Sequence, residues 1–376
     1  MSYNRKELAP IPILYLNYSM EVGGIETLIY EFVFRLDGNR FLPSVCVFRE
    51  GGSLEKKLKS KGVQVYCIEK KEGIDFLLIS RLRRLLQEKD IKILHTHNYS
   101  AWLYGVLAAK GIKDLRHIHT EHSNVDKKRR AWTERVLSRF TDSIVCVSED
   151  VKQSMIKNQK ISPERITVIY NGVDTDRFCP DLEKRKAFRK KIGIKQDAPV
   201  VGIVARLTPV KDHSTLLKAF SELSKANKDA VLLIVGDGEL RNKLEHETEE
   251  LGLRDRVLFL GERRDTPELL NAMDIFVLSS LSEGHNVSLL EAMATGIPTV
   301  VTSVGGNQEV ILDRVTGYLV PPGDSRILAD RMKYLLKEKD LIIKMGKKAR
   351  SRVVDKFSIE GMMEEYKTLY SAFIRS

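Results

Sequence analysis

Two carboxylates eight positions apart, Glu283 and Glu291, stand in the stretch 279–298, SSLSEGHNVSLLEAMATGIP. Glu283 follows a run of apolar and small residues, and Glu291 falls in a helical pattern. A loop followed by a helix puts Glu283 at the mouth and Glu291 slightly more than one turn in, both able to face one crevice at the carboxyl end of the strand pattern DIFVLS, residues 274–279. Each ionised carboxylate can accept two hydrogen bonds from a vicinal diol, which suits an uncharged ligand rich in hydroxyls. Upstream, the strand pattern VVGIVARL ends in Arg206, with Lys211 five positions later. A guanidinium forks onto diphosphate oxygens and an ammonium adds a point charge. Singly, each of the four is an ordinary surface residue. Together, with acids for hydroxyls and cations for phosphates, they compose a site for a nucleotide sugar.

Five of the eight histidines lie between residues 95 and 122: His95, His97, His117, His119 and His122. Alternation along strands would let His117 and His119 share a face, with His95 and His97 beside them. Glu121 is taken to point to the opposite face and HExxH is absent, so no metal is expected and most of these histidines are read as structural. His122 differs: it ends the strand pattern HTEH, where the carboxyl edge meets the crevice.

The elements that would hold these groups follow a regular alternation. Strand patterns at 11–18, 44–48, 63–68, 91–95, 117–120, 143–147 and 165–169 are separated by helical patterns, which predicts a parallel sheet covered on both faces. After the first strand, Gly23 and Gly24 precede a helical pattern, an arrangement that offers free N–H groups to an anion. Residues 181–196 are highly charged and read as a connector. A second alternating series begins at Ala198. The expected fold class is α/β: two doubly wound Rossmann-like domains, 1–180 and 181–356, facing a central cleft. The last helix, 357–376, is expected to pack back on the first. Gly236-Asp237-Gly238 lacks the third glycine of a dinucleotide fingerprint, and no GxxxxGK[ST] P-loop is present.

The chain has 376 residues, 43% hydrophobic and 30% charged, as for soluble globular proteins. No apolar run reaches the ~18–20 residues of a bilayer span. The first residues lack a signal peptide's apolar run, which reads as a cytoplasmic protein. The four cysteines show no CxxC pair and are expected to be buried free thiols. The net charge of +11 is confined to one half: residues 1–190 hold 35 Lys and Arg against 24 Asp and Glu, and residues 191–376 hold 27 against 27. Basic clusters at Lys56, Lys57, Lys59 and Lys61, at Arg81, Arg83 and Arg84, and at 127–130 favour an anionic partner such as a membrane surface or a lipid diphosphate.

The chain resembles the retaining GT-B glycosyltransferases of family 4. The resemblance is carried, in order, by GGIE (23–26), HTEH (119–122), VIYNGVDTDRF (168–178), ARLTPVK (205–211), IVGDGEL (234–240), FLGERRD (259–265), SEGHNVSLLEAMATGIPTVVT (282–302), GGNQEVI (305–311) and TGYLVPPGD (316–324). It implies transfer of a hexose or N-acetylhexosamine from a nucleoside-diphosphate sugar, with a UDP-sugar favoured and GDP-mannose next. The acceptor would be a glycan or lipid-linked molecule of cell-surface polysaccharide synthesis, the membrane association peripheral, and no cofactor or metal is implied. By the resemblance, Arg206 and Lys211 neutralise the leaving diphosphate, Glu291 binds ribose and Glu283 binds the sugar. The donor would also meet Gly23, Gly24, Gly236, Gly261, Arg263, His285, Asn286 and Val287, and His122 would touch the transferred sugar. His285 stands where the family usually has Phe and Gln308 where an apolar residue is usual, and both are expected to affect donor specificity. A sugar-nucleotide epimerase of the same architecture is an alternative. A nucleic-acid-binding protein is favoured by charge alone, with no recognised module, so nucleic acid is not an expected partner.

Overall fold

The computed structural model describes residues 9–21, 23–123 and 130–373. Lys127 and its two neighbours in the basic run at 127–130 lie outside the described residues. The chain forms two compact units: residues 1–170 together with 363–376, and residues 171–362.

In the first unit the strands are β1 (Ile11–Asn17), β2 (Phe41–Val47), β3 (Val65–Cys67), β4 (Ile93–Thr96), β5 (Arg116–Glu121), β6 (Ser143–Cys146) and β7 (Ile166–Val168). They pair in parallel in the order β3-β2-β1-β4-β5-β6-β7. In the second they are β8 (Val200–Val204), β9 (Val231–Val235), β10 (Val257–Gly261), β11 (Ile275–Leu278), β12 (Thr299–Thr302) and β13 (Gly317–Val320). Their order is β10-β9-β8-β11-β12-β13, again all parallel. Each unit is a doubly wound α/β domain whose strand order reverses beside its first strand, at β1/β4 and at β8/β11. Helices cover both faces, which is why the central strands read as unbroken apolar runs. In the first unit Leu14, Leu16 and Leu94 meet Leu78, Leu82 and Leu86 of the helix Phe76–Glu88. Trp102, Val106, Ile144 and Val151 form a second cluster. Cys46 and Cys146 are buried, whereas Cys67, at the end of edge strand β3, is exposed and corrects the expectation for that thiol.

Three local features differ from what composition predicts. The units divide after residues 170 and 362, not after 180 and 356, because the linker NGVD is paired to the second unit. Val173 N donates to Phe357 O at 2.9 Å, Ile359 N returns a bond to Val173 O, and a Cβ on Gly172 would sit 2.6 Å from Ser358 O. The charged connector is largely the helix Leu182–Lys191, capped by Asp181. Its Arg189 is fully buried and donates to the carbonyls of Ala272, Gln196 and Ala198 and, at 2.8 Å, to Asp274 Oδ2. That oxygen also accepts from Val200 N at 2.7 Å, so one carboxylate ties the start of β8 to the start of β11.

The third feature is the histidine cluster, which is two clusters on opposite faces. Thr96 pairs with His119 and His95 with Ile118, so His95 and His97 lie across the sheet from His117 and His119. Glu121 shares the face of His117 and His119, since alternate strand residues point the same way, and its Oε2 lies 3.7 Å from His119 Nε2. His119 stacks on Trp102 with centroids 4.0 Å apart. On the other face, His95 bonds Tyr370 OH through Nδ1 and Thr120 Oγ1 through Nε2, each at 2.7 Å, and Tyr370 OH also meets Tyr15 OH. Tyr366 and Tyr370 thereby fasten the end of the helix Ile359–Ala372 to the first sheet. Burial, then the neighbouring imidazoles, holds His95 well below the usual histidine range, so it stays neutral.

Candidate active site

The groups proposed to do chemistry in the second unit stand after β8 and β11, which are adjacent, with Ile275 opposite Val201 and Phe276 opposite Gly202. Beyond β8 the chain passes Arg206 and turns through Pro209–Lys211. Asp212, left-handed at φ 45°, then caps the helix His213–Ala226. Beyond β11, Leu281 N donates to Val210 O (2.8 Å) and Ser279 Oγ to Lys211 O (2.9 Å). Those two bonds zip the loops together.

The result is an ion pair. Lys211 Nζ donates to Glu283 Oε1 at 2.7 Å, and Ser280 Oγ donates to the same oxygen at 2.6 Å, with the Glu283 side chain only 7% exposed. Arg206 is exposed, and among the described residues its guanidinium has no hydrogen bond or ion pair. Glu291, one turn into the helix Val287–Ala294, likewise has no partner for its carboxylate among the described residues. The segments after β8 and β11 therefore carry one matched cation and acid, Lys211 and Glu283, and a further cation and acid, Arg206 and Glu291, that make no ion pair among the described residues.

Burial pushes the Glu291 carboxyl from its ordinary 4.5 up to about 7, with the charge of Arg177 opposing. Between those two values the folded state holds a proton that the unfolded chain has lost. The stability effect is therefore absent below pH 4.5, and stability falls as pH rises to about 7. Glu291→Gln keeps the shape without the charge, so it is expected to raise stability at pH 8 by roughly 1–2 kcal/mol, allowing for screening of a partly exposed group. Melting curves at pH 5 and pH 8 measure this; a variant that tracks the natural protein at both would refute the assignment.

The loop carrying Glu283 is held from three sides. Gly305, at φ +49°, presses against the Glu283 carbonyl so closely that a Cβ would overlap it, and Gly306 N donates to Gly284 O at 3.0 Å. Asn171 Nδ2 donates to His285 O at 2.8 Å. Asn286 caps the helix by accepting from Leu289 N, and Ser288 Oγ reaches back to Val204 O at the end of β8. The His285 ring is buried against Phe357, centroids 5.3 Å apart, and burial drops it to about pKa 3. At this position, where the family usually has Phe, the histidine ring packs inward as an aromatic ring would. Gln308 is exposed and bonds Ser303 O.

Gly236 (φ +125°) donates its N–H to Gly261 O at 2.9 Å and lies against the Ala205 carbonyl, a contact that leaves no room for a side chain. Arg263 is locked onto Asp265 through two bonds. In the first unit, Gly23 is the N-cap of the helix Gly24–Arg35 after β1, and a Cβ there would strike the Glu26 carboxylate. His122 follows β5, and its Nε2 lies 3.1 Å from His97 Nδ1. Sequence inspection missed Asn171, Gly305 and Asp274 as supports; each lies in a recognisable turn or strand-start motif, but its partner is more than 20 residues away.

Residues 22–177 match the Glycosyltransferase Family 4 model, and residues 184–352 match the Glycosyl transferases group 1 model. The chain is 32% identical over 309 residues to the UDP-Gal:alpha-D-GlcNAc-diphosphoundecaprenol alpha-1,3-galactosyltransferase of Escherichia coli, covering 79% of each protein. The chain belongs to glycosyltransferase family 4. This glycosyltransferase is also 30% identical to the N-acetyl-alpha-D-glucosaminyl L-malate synthase of Bacillus anthracis over 83% of each chain. Its fold is similar to that of Anabaena Alr3699/HepE in complex with UDP and glucose, with TM-score 0.86 and 22% identity over 96% of this chain and 99% of that one. No helix among the described residues of the glycosyltransferase is long and apolar enough to cross a membrane.

Proposed function

We propose that the enzyme transfers a hexose or N-acetylhexosamine from a UDP-sugar to a glycan or lipid-linked acceptor in cell-surface polysaccharide synthesis. Transfer would proceed with retention, without a metal, on the cytoplasmic side of a membrane. The observation that carries this is the Lys211–Glu283 ion pair held between the segments that follow two adjacent strands, with exposed Arg206 and with Glu291 on those same two segments. The names of the relatives support the donor class: one takes UDP-galactose, and HepE is described with UDP and glucose.

In this mechanism the bond from C1 of the sugar to the phosphate oxygen breaks, and its electron pair stays on the leaving diphosphate. Arg206 and Lys211 face that growing charge. Glu291 takes ribose hydroxyls and Glu283 takes sugar hydroxyls, the latter while still anchored by Ser280. The acceptor oxygen forms its bond to C1 on the face the phosphate leaves, and its proton passes to the departing phosphate oxygen. His122 contacts the transferred sugar.

A thermal-shift panel of UDP-, GDP- and ADP-sugars, run with and without EDTA, tests donor and metal together. UDP-sugars at about 100 times their dissociation constant are expected to add ~2.7 kcal/mol, undiminished by EDTA. A larger shift with GDP-mannose would replace the base assignment, and abolition by EDTA would overturn the metal-free mechanism.

A further inference from the structure

Ile74, Phe76 and Leu77 are 75%, 75% and 65% exposed. Single exposed apolar residues are ordinary, but three within four positions form a patch that marks a contact surface. The residue between them, Asp75, is buried, and it makes the tip rigid. Its N–H donates to Tyr104 OH (2.9 Å), and its carboxylate accepts from Leu78 N (3.0 Å), Lys71 N (3.1 Å) and Arg81 Nη2 (3.1 Å). Lys70 Nζ closes the loop onto the carbonyls of Lys71 and Gly73. The inner face of the same helix, Leu78, Leu82 and Leu86, is fully buried, so the outer residues are not displaced core.

Charge says what covers the tip. Residues 69–84 carry five basic side chains against three acidic ones; Asp75 and Arg81 pair with each other, and Arg84 pairs with Glu88. The helix Ser53–Ser60, packed on β3, adds exposed Lys56 and Lys57, whereas its Lys59 is paired with Glu55 and Glu50. An apolar tip rimmed by cations matches the interface of an anionic bilayer, where acyl chains take the side chains and headgroups take the lysines. Position agrees. The tip follows β3, and hence lies at the carboxyl edge of the first sheet, the edge that also carries Gly23 after β1 and His122 after β5. Two strand spacings, about 10 Å, separate β3 from β1.

We propose that residues 74–77 are a wedge that inserts into the interface of an anionic membrane and sets the acceptor end of the first domain against it. The proposal rests on the reading of the acceptor as lipid-linked. A headgroup glycan rising from the bilayer then meets the sheet edge without leaving the lipid.

Flotation of the full chain with phosphatidylcholine vesicles, with and without phosphatidylglycerol, tests this at low and high salt. The natural protein is expected to bind the anionic vesicles, less at high salt. Ile74→Ser/Phe76→Ser/Leu77→Ser is expected to lower partitioning roughly tenfold or more. In Phe76→Trp, the added emission is expected to shift to the blue with vesicles and to be quenched by brominated lipid. Absence of vesicle binding by the natural protein, unchanged flotation of the triple variant, or unchanged Phe76→Trp emission would each overturn the wedge. So would a self-associating natural protein whose triple variant is monomeric, because the tip would then cover a second copy. The UDP-induced thermal shift is expected to be equal in the natural and triple-variant proteins. Its absence from both would sink the donor assignment and leave the vesicle result standing.

Discussion

Replacing Arg206 by alanine is expected to lower turnover roughly 10²- to 10³-fold, the effect of losing one preorganised group facing transition-state charge. The melting temperature is expected to stay where it was, because the guanidinium is exposed and has no partner among the described residues. Lys211→Ala is expected to match that loss of turnover and also to destabilise the fold by about 1–3 kcal/mol, since Glu283 would keep its burial and lose its counter-ion. The two cations thus separate in a melting experiment although both are proposed to act on one leaving group. Initial rates with a UDP-sugar, beside thermal melts of each variant, measure both quantities. Near-normal turnover in both variants would remove the diphosphate role.

The largest expected loss of stability comes from a residue with no part in the chemistry. Asp274→Ala leaves Arg189 buried without its carboxylate and strips Val200 N of its acceptor. Truncating one member of a buried pair costs about 3–5 kcal/mol, or a fall in Tm of roughly 10 °C for a domain of this size. Because Asp274 fixes the starts of β8 and β11 rather than their ends, turnover per folded molecule at low temperature is expected to change little. A fall in Tm under about 3 °C would show that the guanidinium is satisfied by the carbonyls alone.

The strands were legible because both sheets are covered on two faces, so each central strand announces itself as an apolar run between turns. The places of Arg206, Lys211 and Glu283 were legible for a related reason: they follow the points where such runs stop, and Glu291 lies one turn into the next helix. Arg189 was not, because a buried arginine inside EKRKAFRKK is indistinguishable in composition from its solvated neighbours; only the carbonyls around it make it different. Parity along β5 was available in the sequence and was misapplied to Glu121, whereas the separation of His95 from His119 depends on strand register, which no local pattern contains. The role of His285 also needed the fold: a ring beside the acid in sequence turns inward to Phe357. Asn171 and Gly305 support the acid loop from distant segments, so their importance is tertiary in origin.

Gly305 has an implication for genetics. Its α-carbon rests on the carbonyl of Glu283, in a backbone conformation that side chains disfavour. Any substitution there displaces the acid, so a saturation screen scored on product would rank this position with the residues proposed to handle the sugar. Phenotype alone would then enlarge the apparent catalytic set by a residue that contributes only the absence of atoms.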